Sequence, residues 1–188
     1  MALTTIDPGS ALVVIDLQKG IVSARADDAV TAAVKQAAHL AAEFRRHGLP
    51  VVLVNVTGRA PGRTESGRSA GTAALPADWA DLIDELDVRP TDHLITKRRR
   101  SAFHDTGLDT LLRDLGVTQI VFAGISTSAG VESSARSASD YGYHVVLATD
   151  AMYDPDAASH RHSVERVFPK IGETATAAEV VEKVEATR

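Results

Sequence analysis

The stretch Ala11-Leu12-Val13-Val14-Ile15-Asp16 decides the fold: five apolar residues stop at a carboxylate. A continuous apolar run of this length reads as a strand buried on both faces of a parallel sheet. Working outward, similar runs lie at Val51 to Val54, Gln119 to Ala123 and His144 to Ala148, with Leu94-Ile95 as a shorter one. Between them come stretches of helical period, with Val30, Val34, Ala37, Ala41 and Phe44 on one stripe and Leu108, Leu111, Leu112 and Leu115 on another. Strands alternating with amphipathic helices predict an α/β fold with a mostly parallel central sheet.

Local punctuation agrees with this order. Asp27 and Thr106 are candidate N-caps, while His47-Gly48 and Gly116 are helix stops. The Gly-, Arg- and Ser-rich segment from Gly58 to Thr72 carries neither period, so it reads as a long functional loop. Asp154-Pro155 reads as the start of a helix, and the tail from Phe168 to Val184 as a short strand and a terminal helix. A chain of 188 residues fits one domain, 1–188, with enough core to need no staple.

Composition removes several classes of function. The 20 Lys and Arg against 25 Asp and Glu give a net charge of −5 without a block of one sign, so no nucleic-acid footprint is expected. The absence of cysteine excludes disulfides, thiolate metal sites and any mechanism that begins at sulfur. No apolar run approaches the ~20 residues of a membrane span, and no basic stretch with an apolar run opens the chain, so a cytoplasmic protein acting on a small soluble molecule is expected.

A doubly wound sheet binds its ligand outside the carboxyl ends of its strands. The residues there are Asp16, Asn55, Lys97, Gly124 and Asp150, and Gln18 follows Asp16 by two positions. Taken singly these have ordinary readings: a carboxylate caps a turn, and Lys97 opens a basic run to Arg100 that reads as a solvated face. The segment Gly124-Ile125-Ser126-Thr127-Ser128-Ala129-Gly130 joins a strand to a helix and offers small residues and backbone N–H groups suited to an anion, although ordinary capping uses the same residues. Ser128 stands where a Gly-x-Ser-x-Gly nucleophile elbow needs its last glycine. No Walker loop or dinucleotide fingerprint is present. His160 and His162, two apart on an expected helix, point in different directions and read as surface residues.

Taken together, Leu12 to Gln18, Lys97 with Ser101-Ala102-Phe103 and Thr106-x-Leu108, and Ala123-Gly124-Ile125-Ser126-Thr127 running into Val131-Glu132-Ser133-Ser134-Ala135-Arg136 resemble the isochorismatase-like hydrolases. The likeness spans residues 11 to 172 and implies a Rossmann-like three-layer αβα fold. It also implies a catalytic set at Asp16, Lys97 and the position of Gly130, where most of the family carries a nucleophilic cysteine. Glycine there excludes thiolate attack and is shared with true isochorismatases, which hydrolyse an enol ether with water. The family's turn implies a cis peptide at Ile125–Ser126, with N–H groups of Ala129 and Gly130 facing a negative oxygen.

The substrate would meet Gln18, Asn55, Phe103 and the loop arginines Arg59 and Arg63, whose planar forks suit a carboxylate. The segment after the second strand lacks the Asp-x-His-x-x-His metal motif of nicotinamidases, so neither metal nor cofactor is expected. Family habit and the small-residue helix face around Ala135 and Ala138 lead to an expected homo-oligomer, a dimer or higher. The expectation for function is enol ether hydrolysis of a small carboxylated molecule, with Asp16 as general acid. The alternatives are an amide hydrolase using Ser126 or Ser128 as nucleophile, and a non-catalytic binding member.

Overall fold

The computed structural model describes residues 3–25, 27–59, 61–65 and 75–187. Of the loop expected over 58–72, residues 60 and 66–72 lie outside these. The elements follow in chain order as β1 (Ser10–Ile15), α1 (Lys19–Val22), α2 (Asp28–Arg46), β2 (Val51–Val56), β3 (His93–Lys97), α3 (Leu108–Asp114), β4 (Gln119–Ile125), α4 (Glu132–Asp140), β5 (His144–Tyr153), α5 (Ala157–His162), β6 (Glu173–Ala175) and α6 (Ala177–Ala186). The six strands form one sheet in the order β3-β2-β1-β4-β5-β6, and every neighbouring pair is parallel.

Alternation along β1 sorts the core into two layers. Leu12 and Val14 face a cluster built with Val30, Leu40 and Phe44 of α2 and Val180 and Val184 of α6. Ala11, Val13 and Ile15 face the opposite cluster, with Leu108 and Leu112 of α3 and Ala135 and Ala138 of α4. The result is a three-layer αβα fold, held by side chains such as Phe44 and Leu12 that are fully buried and contribute about 1.5–3 kcal/mol each.

The helix signals resolve with small shifts. Asp27 caps α2 through Val30 N–H at 2.8 Å, and Gly48 and Gly116 adopt positive φ where their helices stop. The residue at the N-cap of α3 is Gly107, not Thr106; Thr106 still accepts the Leu108 N–H at 3.3 Å. Asp156 caps α5, two residues beyond the expected Asp154, because Asp154 is engaged elsewhere. β3 is an edge strand that leaves Leu94 63% exposed rather than buried.

The last long strand also differs. It continues past Asp150 to Tyr153, with a register shift against β4 between Phe122 and Gly124. Asp150 accepts the Ala177 N–H at 2.7 Å and so anchors α6. The carboxylate at the strand mouth is therefore Asp154.

Candidate active site

In this strand order the chain reverses direction of winding between β1 and β4, and a doubly wound sheet opens its binding crevice at that point. The two strands approach closely there: Ile15 pairs with Gly124, and a Cβ on Gly124 would lie 2.1 Å from the Ile15 carbonyl oxygen. Gly124 also has φ +118°, a conformation that glycine alone adopts at no steric cost. A cavity of about 880 Å³ lies above this junction, lined among others by Asp16, Lys97, Ile125, Ser126, Ala129 and Gly130.

Asp16 leaves β1 in a left-handed conformation, φ +53°, which aspartate tolerates better than most residues. Its side chain meets Lys97, the last residue of β3, with Oδ2 2.8 Å from Nζ. Both are buried, at 6% and 2% exposure. The Lys97 ammonium also donates to the Arg100 carbonyl at 2.8 Å, whereas Asp16 Oδ1 is buried without a hydrogen-bond partner. Burial raises the Asp16 pKa from 3.8 to about 6, outweighing the lowering by the Lys97 charge and hydrogen bond. A half-bonded carboxyl whose proton is retained to mildly acidic pH can both hold a cation and donate a proton.

Gly130 completes this floor. A Cβ there would meet Lys97 Nζ at 3.1 Å, Asp16 Oδ2 at 3.2 Å and Ile15 Cγ2 at 2.9 Å. The position thus faces both charged groups with no side chain of its own. It lies in a wide π-type turn, Thr127–Val131, that leads into α4. The peptide joining Ile125 to Ser126 is cis. Ser126 O accepts the N–H groups of Ala129 at 3.1 Å and Val131 at 3.2 Å. The Ala129 N–H, expected to face a substrate oxygen, is thereby used inside the turn.

Long-range bonds hold the turn in place. Asp154 Oδ2 accepts Ser128 N–H at 2.8 Å and Ser128 Oγ–H at 2.6 Å. His160 Nδ1 lies 2.8 Å from Thr127 Oγ1, so His160 is half-buried rather than a surface residue, while His162 is exposed. The Ser134 hydroxyl donates to Gly130 O at 2.7 Å and accepts the Ala102 N–H at 2.9 Å, which ties the turn to the segment after Lys97. The histidine nearest the turn thus serves Thr127, which does not line the cavity. Neither Ser126 nor Ser128 has a histidine bonded to it.

Three residues expected at the substrate do not line the cavity. Gln18 is fully buried, accepts Val56 N–H at 2.8 Å and donates to the Val56 and Trp79 carbonyls at 3.3 and 3.1 Å. Asn55 donates to Ala80 O and accepts from Thr96 Oγ1, both at 2.8 Å. Phe103 packs on Tyr141 and Tyr143, with ring centroids 5.5 and 6.2 Å away. None of the three lines the cavity. Their polar or aromatic groups are satisfied within the fold, and two of them fasten the 79–80 segment to the sheet.

Arg59 and Arg63 do line it, together with Arg25, Arg99 and Arg100, which the sequence reading did not assign to the site. The position of Arg99 and Arg100 just beyond the third strand was the available signal; as part of a basic run they look like a solvated face. Among the described residues, Glu43, His47 and Glu185 bring potential metal-ligand atoms within 4.8 Å of one another. They lie away from the cavity, and Arg46 bonds both carboxylates. No helix among the described residues is long and apolar enough to cross a membrane.

Comparison with known proteins agrees with the geometry. The isochorismatase domain model matches residues 10–179. The chain is 39% identical over 180 residues to the isochorismatase family protein YwoC of Bacillus subtilis, covering 93% of this chain and 94% of that one. It is 33% identical over 172 residues to the ureidoacrylate amidohydrolase RutB of Pantoea ananatis, covering 77% and 69% respectively. The structure of an isochorismatase family protein from Burkholderia thailandensis superposes with a TM-score of 0.89 at 36% identity, covering 96% of this chain and 98% of that one. The chain belongs to the isochorismatase family and is a hydrolase of that family in which glycine, residue 130, faces the buried aspartate and lysine.

Proposed function

We propose that the protein hydrolyses a small carboxylated enol ether, with Asp16 as general acid and water as the attacking group. The observation that carries this is the pairing of a buried, half-bonded Asp16 carboxyl with a facing position, Gly130, that has no nucleophilic atom. Protonated Asp16 gives its proton to the methylene carbon of the enol ether, leaving an oxocarbenium ion at the ether carbon. Water adds to that carbon and returns a proton to Asp16; the hemiketal then collapses to a 2-oxo acid and an alcohol. Lys97 keeps Asp16 oriented and offsets the charge it acquires, and the arginines beyond it hold the substrate carboxylate.

The test is pyruvate release from isochorismate by the wild-type protein and by Asp16→Ala. Removal of a general acid lowers the rate by about 10²–10⁴-fold. Full turnover by Asp16→Ala would contradict the assignment.

A second reading is favoured by one observation, the amide hydrolysis in the name of the Pantoea relative. In it, ionised Asp16 takes a proton from water as that water attacks an amide carbon, and returns the proton to the amide nitrogen as the C–N bond breaks. Release of ammonia from ureidoacrylate without pyruvate release from isochorismate would select it. The serine readings lose support from the geometry, since the Ser128 hydroxyl is bonded to Asp154 and Ser126 has no histidine partner.

A further inference from the structure

The turn that carries Gly130 has little of its own to hold its shape. Its residues, Thr127-Ser128-Ala129-Gly130-Val131, bring mostly small side chains, and its glycine adds backbone freedom. Its π-type winding is a rare conformation found mostly at functional sites. Support reaches it from outside, from the segment 154–163 that follows β5.

The bonds of this segment close into a ring with the turn. Asp154 Oδ1 accepts the Asp156 N–H at 3.0 Å, Asp156 O accepts the His160 N–H at 2.9 Å, and His160 Nδ1 lies 2.8 Å from Thr127 Oγ1. The next residue of the turn, Ser128, returns to Asp154 Oδ2 through its N–H at 2.8 Å and its hydroxyl at 2.6 Å. A further contact fixes the start of α4, where the Ser163 hydroxyl donates to Glu132 Oε2 at 2.6 Å. Thr127 and Ser163 are fully buried and Asp154 is 9% exposed, so water competes little for these bonds.

What the turn covers gives the ring its consequence. The Gly130 backbone lies over the Asp16–Lys97 contact, so close that a Cβ would come within 3.2 Å of Asp16 Oδ2 and 3.1 Å of Lys97 Nζ. Asp16 Oδ1 is shut off from solvent without a partner, and burial is the largest influence on the proton affinity of this carboxyl. A turn free to lift would hydrate the carboxyl and favour its ionised form.

We propose that Asp154 and His160 are positioning residues for the reaction: through Ser128 and Thr127 they hold the turn down so that Gly130 covers the Asp16–Lys97 pair. Neither residue lines the cavity, so each acts through the turn. The proposal rests on reading Asp16 as the reacting group, and it adds the source of the proton affinity that this role requires.

The test follows the Asp16 titration by carboxyl carbon NMR in protein labelled at aspartate, which needs no substrate. Lys97 contacts Asp16, and Arg25, Arg59, Arg63, Arg99, Arg100 and Glu65 share its cavity; the variants alter none of these, so a shift reports hydration. Asp154→Ala is expected to lower the Asp16 midpoint from about 6 by about one unit or more, as released burial implies. Thr127→Val keeps the side-chain shape without the hydroxyl that faces His160, and is expected to lower the midpoint by about half a unit, with Thr127→Ser restoring it. His160→Asn, whose amide nitrogen can take the place of Nδ1, is expected to stay closer to the wild type than His160→Ala. With isochorismate as substrate, Asp154→Ala should lower kcat by about tenfold or more and leave KM within about twofold. Should Asp154→Ala fail to fold, Thr127→Val and Thr127→Ser decide. An Asp16 midpoint that stays put in the folded variants, or a shift that neither Thr127→Ser nor His160→Asn restores, would overturn the proposal. A protein inert toward isochorismate that still shows the shifted midpoints keeps the positioning role and loses the enol ether reaction; turnover with unmoved midpoints does the reverse.

Discussion

The floor and the mouth of the cavity are built on opposite principles. At the floor, Asp16, Lys97 and Gly130 are buried, with two strand ends and a turn holding them together and one Asp16 oxygen left without a partner. At the mouth, arginines on the loops after β1, β2 and β3 carry charges that no described residue neutralises. A rigid, desolvated floor suits a reacting group, because preorganised charges act most strongly where water is excluded. A hydrated cationic mouth suits capture and orientation of an anion. Substitutions at the floor should therefore change the chemical step, and those at the mouth should change affinity.

The largest effect expected is at the floor. Asp16→Asn keeps the shape of the side chain and the Lys97 contact but removes the proton, and should lower kcat by about 10²–10⁴-fold with KM changed little. Arg63→Gln should do the reverse, raising KM by about tenfold with kcat nearly intact, as loss of one charge-assisted contact implies. Steady-state kinetics of the two variants break the division if both move the same constant.

Gly130→Ala sharpens the account of the floor itself. An alanine in the helical turn ordinarily adds stability through the unfolded chain, yet its methyl would press on buried Ile15 Cγ2 at 2.9 Å and on the ion pair. We expect a net destabilisation of about 1 kcal/mol, within the range for overpacked cores, read as a lower urea midpoint. A more stable variant with unchanged rate would show that the floor has room to spare.

Gln18 tests whether a polar residue beside the site is part of it. Gln18→Ala leaves the Val56 N–H and two carbonyls without their partner, and should cost about 1–3 kcal/mol in denaturant unfolding while KM stays put. The smallest effect is expected at Ser126, which lines the cavity while the nearby histidine is bonded to Thr127 instead. Ser126→Ala should hold kcat within about twofold; a serine nucleophile would lose about 10³-fold or more.

The sequence displays the floor far better than the mouth. Asp16 and Lys97 stand where apolar runs end, and a parallel sheet puts such ends on one edge whatever the intervening segments do. What holds Gln18 and Asn55 away from the cavity is contact with residues 79 and 80, 61 and 25 positions along the chain. No local pattern carries information of that range. The apolar run toward Asp150 pauses at Thr149, and only the register shift against β4 makes Asp154, four residues on, the carboxylate that grips the turn. Helical direction alone places His160 at the surface and cannot anticipate a threonine 33 residues earlier. Arg25, Arg99 and Arg100 carry the same composition as an ordinary solvated face, and their role emerges only when three loops are seen to share one cavity.

The most direct test of the central claim is the pH dependence of kcat/KM on a confirmed substrate. Asp16 in the folded protein retains its proton up to about pH 6 because burial outweighs Lys97, so a general acid loses activity as pH rises through that value. The account predicts a rate that falls across about pH 6, with the midpoint moved upward in Lys97→Met, where the lowering influence of the ammonium is gone. A rate that instead climbs through the same range would mean that the ionised carboxylate does the work, and it would contradict proton donation by Asp16.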